Sequence, residues 1–279
     1  MDTEKDGWVN PFETLFFLRC TSVKYAKDFI EKGSVKFGTP KTWEEAALKS
    51  HIIGRGDPYE GAIAFAHSID IEHILELNIK YPNTDRLYYN NRTLFKRVRS
   101  MNLPCFCMYG LNIDQFNTPK QDGWQEVKAE IPASYFFDFV DNKTVEEVSN
   151  LPEKDKPAVI VINNPNEFRK RVENYLISIG CDKNEIMFNY VNYMNFDKYG
   201  EDGWFDFSQI EPKELFIKSD SFSSQKEVRI VVNTDKKDVL EKLNSPQEIG
   251  SMKDIATVLE NFFKDGIKVE AKVNTFIQE

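Results

Sequence analysis

The chain has 279 residues, enough for one large domain or two small ones, and long enough to bury a core of its own. Its hydrophobic content of 41% and charged content of 29% are those of an ordinary globular protein and exclude a disordered chain. A net charge of −9 excludes bulk attraction to nucleic acid, because phosphates are held by Lys and Arg that displace counterions.

Thr14–Thr21 is an apolar, β-prone run and is predicted as a strand. Ser22–Lys32 follows as an amphipathic helix, with Ser22 placed to cap it, Val23, Ala26, Phe29 and Ile30 as its stripe, and Gly33 just past its end. Ser34–Gly38 is a short strand, and Lys41–Ser50 a helix. The turn-rich stretch Gly54-Arg55-Gly56-Asp57-Pro58-Tyr59-Glu60-Gly61 leads into a small apolar strand, Ala62–Ser68. A helix is predicted over Asn91–Asn102. Its cations Arg92, Lys96, Arg97 and Arg99 make either a solvated face or a local basic groove. Leu103–Tyr109 is a compact strand, and Asp114–Gln125 a polar loop or short helix.

Asp141–Lys156 is polar, contains Pro152 and reads as a loop rather than a linker, because apolar strands resume after it. Ala158–Ile162 (AVIVI) has the pattern of a strand buried on both faces. Phe168, Val172, Tyr175, Leu176 and Ile179 recur at helical spacing across Asn166–Gly180. Strands follow at Ile186–Tyr193, Leu215–Ser219 and Glu227–Asn233, the last two joined by a loop, Asp220–Lys226. A closing helix, Ser251–Lys264, and a last strand, Ile267–Ala271, complete the pass. Strands occur both as near neighbours and across helices, which predicts an α+β fold with a mixed, largely antiparallel sheet and flanking helices, in a single domain over 1–279.

No Gly-x-Gly-x-x-Gly or Walker pattern occurs, so neither a Rossmann cofactor site nor a P-loop is indicated. Cys20, Cys105, Cys107 and Cys181 form no Cys-x-x-Cys, and His51, His67 and His73 are scattered, so no metal site is expected. The first ten residues are polar and acidic, and no apolar run approaches the roughly 20 residues of a membrane span. The expectation is a cytoplasmic protein with reduced thiols and no membrane partner.

Four pieces carry groups suited to chemistry. In Lys218–Val232 (KSDSFSSQKEVRIVV), alternation along an extended chain puts Gln225, Glu227 and Arg229 on one face and Val228, Ile230 and Val232 on the other. That arrangement mounts a carboxylate on a rigid strand beside a small-residue loop; it equally describes a strand entrance with Glu227 paired to Arg229. Arg19 ends an apolar strand, where its planar fork suits a phosphate or carboxylate ligand or a structural ion pair. Cys105 and Cys107 share one face of their strand, as packing residues or as thiols in want of a base. Arg55, Asp57, Tyr59 and Glu60 lie in a glycine-framed loop that is either shaped for a ligand or a surface turn. Tyr109, Trp124 and Trp204 are candidate stacking rings or core residues, with Asn112–Gly123 and Glu201–Asp206 as candidate walls.

Arg19, then Cys105-Phe106-Cys107, then Gln225-x-Glu227, in that order, resemble the arginine–serine–glutamate clade of ADP-ribosyltransferases. SVKFGTPKTW, RGDPYEG, LPCFCMY, ELFIKSDSFSSQKEVRIVV and IGSMKDIA are similar to stretches of a large, mostly uncharacterised bacterial family with the same arrangement. The resemblance runs loosely over most of residues 15–270. It implies a split-sheet fold and mono-ADP-ribosyl transfer from NAD as substrate, without a metal, to a protein or nucleic-acid acceptor, in a toxin or phage-defence effector. Glu227 then stabilises the oxocarbenium-like centre and Gln225 orients the acceptor. Arg19 binds the NAD phosphates or the nicotinamide ribose, with Cys105, Cys107, Tyr109 and Arg55 as further cofactor contacts. The clade has serines where this chain has Cys105 and Cys107, and a thiol is the weaker donor. That departure leaves room for a non-catalytic nucleotide-binding sensor on the same fold. An unrelated α+β hydrolase or interaction element is the third possibility.

Overall fold

The computed structural model describes residues 14–50, 56–112, 123–131, 144–198, 204–206, 211–260, 262 and 266–275. The fold is α+β, with helices flanking largely antiparallel sheets; among the described residues Asn192–Met194 runs parallel to Ile217–Ser219. Among the described residues no helix is long and apolar enough to cross a membrane. Contacts gather the chain into two compact units with interleaved segments: 1–35, 108–175 and 247–279 in the first, 36–107 and 176–246 in the second.

In the first unit, strands Ala256–Leu259, Pro157–Ile162, Thr14–Ser22 and the second half of Cys105–Asn112 lie side by side in that order. Pro157–Ile162 is central, and its near-continuous burial explains the unbroken apolar run in its sequence. Helix Val23–Lys32 buries Val23, Ala26 and Phe29, and Phe168 of helix Pro165–Ser178 meets the rings of Phe17 and Phe29. A two-stranded ribbon, Gly123–Ile131 with Ile267–Thr275, buries Ala129, Ile131 and Ile267 in a cluster with Leu18, Tyr109, Leu111 and Val159. Its outer face carries the cross-strand ion pairs Lys128–Glu270, Lys272–Glu126 and Lys268–Glu130.

In the second unit, the first half of Cys105–Asn112 neighbours Glu227–Val232, which pairs antiparallel with Ile186–Tyr190. A four-stranded sheet, ordered Trp204–Asp206, Ala62–His67, Arg92–Arg97, Thr84–Tyr89, packs one face on helix Ile71–Lys80 through Ile63, Phe95 and Leu77. The other face holds Tyr59, Phe65, Leu94 and Phe196, with Tyr59 stacked on Phe196 at 4.4 Å between centroids.

Several sequence expectations are corrected. Asn91–Asn102 is a strand, Arg92–Arg97, with only a short helix at Val98–Met101. Its cations are not a solvated face: Arg92 and Lys96 are buried, donating to Tyr59 Oη at 2.7 Å and Glu44 Oε1 at 2.8 Å. Helical spacing of charges misled here because buried pairing, not solvation, satisfies them. The closing helix over Ser251–Lys264 is instead a strand, Ala256–Leu259, bonded to Pro157–Ile162; the β-branched Thr257 and Val258 suit that edge. The loop Asp220–Lys226 between the two strands is wound as a 3-10 turn over Asp220–Gln225. Ser22 occupies the N-cap position with extended backbone but makes no side-chain cap bond. Helix Ile71–Lys80, strand Thr84–Tyr89 and helix Lys237–Leu243 were not anticipated.

Gly33 closes its helix in the left-handed region (φ +65°), and its amide donates to Phe29 O at 2.8 Å. A Cβ there would lie 2.1 Å from Gly250 O, in a segment bonded back through Gly250 N–H to Lys32 O. Gly33→Ala is therefore expected to cost at least about 2 kcal/mol, from the left-handed backbone and the collision together. Urea denaturation of the two proteins measures it.

Candidate functional site

Strand Glu227–Val232 is buried along its whole length, so the alternation that presents Gln225, Glu227 and Arg229 to one side delivers them into the interior of the second unit. A charge there is tolerated only with partners. Arg229, fully enclosed at 0% exposure, donates from Nε and Nη2 to Glu227 Oε1 at 2.8 and 2.5 Å and from Nη1 to the carbonyl of Leu215. Its Nη1 also lies 2.8 Å from Glu60 Oε1, and its plane sits over the Trp43 ring at 5.5 Å. Lys218, from the preceding short strand, donates to Glu227 Oε2 at 3.0 Å and to Gln225 Oε1 at 2.7 Å. One ammonium thus ties together the two residues of the Gln-x-Glu pair. The Cys107 thiol donates to the same carboxylate.

The elements explain the placement. Lys226 adopts a left-handed backbone (φ 42°) that ends the 3-10 turn and starts the strand, so Gln225 and Glu227 both turn toward Lys218. The amide of Glu227 donates to Tyr193 Oη at 2.8 Å, and its carbonyl accepts from Val191 N–H. Asp57 closes the loop that carries Glu60: its carboxylate accepts from the amides of Tyr59 at 2.9 Å and Ser219 at 2.5 Å. Gly61 (φ +72°) lets the chain turn directly after Glu60; a Cβ there would lie 2.5 Å from Met101 Sδ.

Burial alone would raise the Glu227 carboxyl, but Arg229 and Lys218, with hydrogen bonds from Cys107 and Arg229, bring it down to about 2. Lys218 and Arg229 move the other way for the reciprocal reason: burial opposes their charge, and Glu227 and Glu60 overcome it. Asp57 is raised, chiefly by burial. Burial pushes the Cys105 thiol up to about 12 and the Cys107 thiol well above its usual value. Three carboxyl groups, Asp57, Glu60 and Glu227, therefore share two cations. The buried Glu60 Oε1 contacts Arg229 without hydrogen-bond alignment and has no hydrogen-bond donor among the described residues.

These values restrict the chemistry. A carboxylate with so low a pKa is a poor general base near neutral pH. Thiols held protonated are poor nucleophiles. What the centre offers is fixed negative charge in a low-dielectric setting.

Of the sequence-predicted site residues, Glu227, Gln225, Cys105 and Cys107 all fall in the second unit. Glu227, Gln225 and Cys107 meet at this centre; Cys105, two residues along the strand, donates to Leu103 O at 3.4 Å within the apolar cluster of Leu215, Phe216 and Val231. Arg19 and Tyr109 belong to the first unit: Arg19 is half-buried on its strand opposite Ile160, and Tyr109 is buried in the apolar cluster under the ribbon. Arg55, the candidate wall at 113–122 and residues 201–203 lie outside the described residues, as does the Trp204 side chain. Trp124 is 74% exposed on the ribbon and is no core residue. Lys218, Tyr193 and Trp43 carry no site role in the sequence reading, while Glu60 enters it only as one charge of a glycine-framed loop. The glycine-framed charges around Glu60 were a local signal; the distances in sequence from Lys218, Tyr193 and Trp43 to their partners left none.

Fold and centre together define an α+β protein with a buried, acid-rich ionic centre at the head of a core strand. Comparison of the chain with known protein families, with curated proteins and with solved structures finds no match.

Glu227 bears on acid stability. Its folded pKa lies below the unfolded value of 4.5, so its contribution is fully present above about pH 4.5 and is lost as pH falls toward 2. The stability lost across that window is on the order of 3 kcal/mol, partly offset by Asp57, whose raised pKa works in the opposite direction. Denaturant titrations from pH 5 to 2 should show that slope, flattened in Glu227→Gln. Arg229→Met leaves Glu227 and Glu60 short of a counter-charge and should cost about 3–5 kcal/mol at pH 7. Chemical denaturation checks it.

Proposed function

We propose that the chain transfers ADP-ribose from NAD to a macromolecular acceptor, with Glu227 as the charge that stabilises the departing centre. The observation carrying this reading is the strand-borne Glu227, kept ionised beside Gln225 in a centre with more carboxyl groups than cations among the described residues. The bond between the nicotinamide nitrogen and ribose C1′ breaks, and its electron pair leaves with nicotinamide, neutralising the ring. C1′ takes on oxocarbenium character, the charge that a fixed carboxylate favours, as glycosidase carboxylates do. The acceptor's nucleophile then bonds C1′ and releases its proton to solvent. The elevated thiols and the low Glu227 pKa fit a reaction driven by electrostatics rather than by a protein nucleophile or base.

One observation favours a second reading, a nucleotide-binding module without turnover on the same scaffold. Both oxygens of Glu227 already accept hydrogen bonds from Lys218 and Arg229, leaving less of the carboxylate for a ribose hydroxyl.

Purified protein with labelled NAD and a cell lysate separates the two. Transfer predicts release of nicotinamide that Glu227→Gln lowers by about 100-fold or more while the variant still melts cooperatively. A rise in melting temperature with NAD but no release supports the second reading. Neither release nor a shift rejects both.

A further inference from the structure

The transfer chemistry gives no part to Lys218, although its side chain is buried in the middle of the centre. The ammonium stands 2.7 Å from Gln225 Oε1 and 3.0 Å from Glu227 Oε2. An ammonium carries donors only, so it takes up acceptor positions on both residues of the Gln-x-Glu pair. A ligand whose hydroxyl groups donate to this pair needs those same positions. The two cations on Glu227 are not held alike. Arg229 makes two bonds to Oε1 and another to the Leu215 carbonyl, and is wholly enclosed. Lys218 makes one bond to Oε2 from a flexible four-carbon stem, and the half-buried Phe222 ring of the 3-10 turn lies 5.1 Å from its ammonium. Of the two, Lys218 is the cation that a ligand can displace.

A second position for the ammonium is at hand. Glu60 Oε1 is buried 2.8 Å from Arg229 Nη1 and accepts no aligned hydrogen bond among the described residues. An acceptor in that state gains from an arriving donor. Glu60 and Glu227 touch the same guanidinium, which puts both within the swing of one lysine stem. The Ser219 amide, bonded to Asp57 Oδ2 at 2.5 Å, holds the backbone beside Lys218 against the loop that carries Glu60, and the Glu60 charge already acts on the ammonium. We propose that Lys218 is a built-in occupant of the ligand subsite: its ammonium stands in for a vicinal pair of ligand hydroxyls on Gln225 and Glu227, and passes to Glu60 when such a diol enters. The proton stays on the ammonium throughout. The ligand class is a ribose-type diol, whose two O–H groups match two acceptors that lie 2.7 and 3.0 Å from one point. The inference rests on the reading that NAD engages Glu227, and it applies to the transfer and the binding-only forms of that reading alike.

Lys218→Met keeps the stem and removes the ammonium. NAD affinity of the full chain, measured by titration calorimetry, is expected to tighten by about tenfold in this variant. A cation that merely holds Glu227 and Gln225 in place predicts the opposite, a loss. Glu60→Gln removes the charge that receives Lys218, so it should weaken NAD by about tenfold in the wild type and leave it unchanged in the Lys218→Met background. Structural damage predicts losses that add instead. Cooperative melting is checked first. If Lys218→Met does not melt cooperatively, Phe222→Ala takes its place: it lifts the ring from the ammonium, leaves every charge standing, and should tighten NAD by about threefold. Binding seen only once the ammonium or its ring is removed supports the inference. NAD bound by the wild type, and unchanged or loosened in the variant, overturns it and leaves the reading of the site standing. NAD bound by neither overturns that reading and the inference with it.

Discussion

The second unit is organised around one requirement: Arg229, fully enclosed, must have its charge answered from inside the protein. An arginine is always protonated, so burial cannot be relieved by losing the proton. Glu227 answers with a two-point contact two residues earlier on the same strand, and Glu60 reaches in from the turn before the neighbouring sheet. Once those carboxylates are fixed, other positions follow. Lys218 is placed to satisfy the second oxygen of Glu227, Trp43 to cover the guanidinium, and Gly61 to let the chain leave directly after Glu60. Such a centre is a weak source of net stability compared with an apolar core of the same volume, because desolvation consumes much of the attraction. Its stronger effect is on uniqueness: any shift of the strand by one residue would strand a buried charge.

The same electrostatics narrows what the centre can do. The cations that make Glu227 tolerable in the interior also make it a very weak base, and burial keeps the Cys105 and Cys107 thiols protonated, helped at Cys107 by the Glu227 charge. Proton abstraction and thiol attack therefore fit poorly, whereas stabilising a transient positive charge fits well. The two functional readings share that premise. They divide on whether Glu227 can release part of its hydrogen bonding to a ligand, and the uneven charge count bears on this. Among the described residues Asp57, Glu60 and Glu227 stand against Lys218 and Arg229, and Glu60 Oε1 lies 2.8 Å from Arg229 Nη1 without an aligned hydrogen bond.

Period and alternation made some of this legible from sequence and not the rest. The helix Val23–Lys32 and the strand Glu227–Val232 were readable from their apolar period, and the strand Pro157–Ile162 from its unbroken β-branched run. The shared side of Gln225, Glu227 and Arg229 followed from alternation alone. Partners were not readable. Lys218 stands seven and nine positions from the groups it joins, Tyr193 lies 34 residues from Glu227, and nothing local ties Trp43 to Arg229. Arg92 and Lys96 show the converse failure. Cations four apart suggest a helix face, yet a strand with both charges buried is stable once Tyr59 and Glu44 are brought to it by the fold.

That failure sharpens the meaning of a polar pattern on a core strand. Gln-x-Glu-x-Arg on an exposed strand would be free to serve a ligand, whereas on a strand buried throughout, each polar group must first be satisfied internally, whatever else it does. Internal partners are therefore required by the fold itself, and they bear on function only through how much of Glu227 they leave for a ligand. The informative quantity is the remainder: which polar atoms stay unsatisfied after the internal network closes, and which sign of charge is in excess. Among the described residues the remainder is one carboxylate oxygen of Glu60 and an excess of acid, and under the proposed reading a ligand completing this centre would bring a donor or a positive charge.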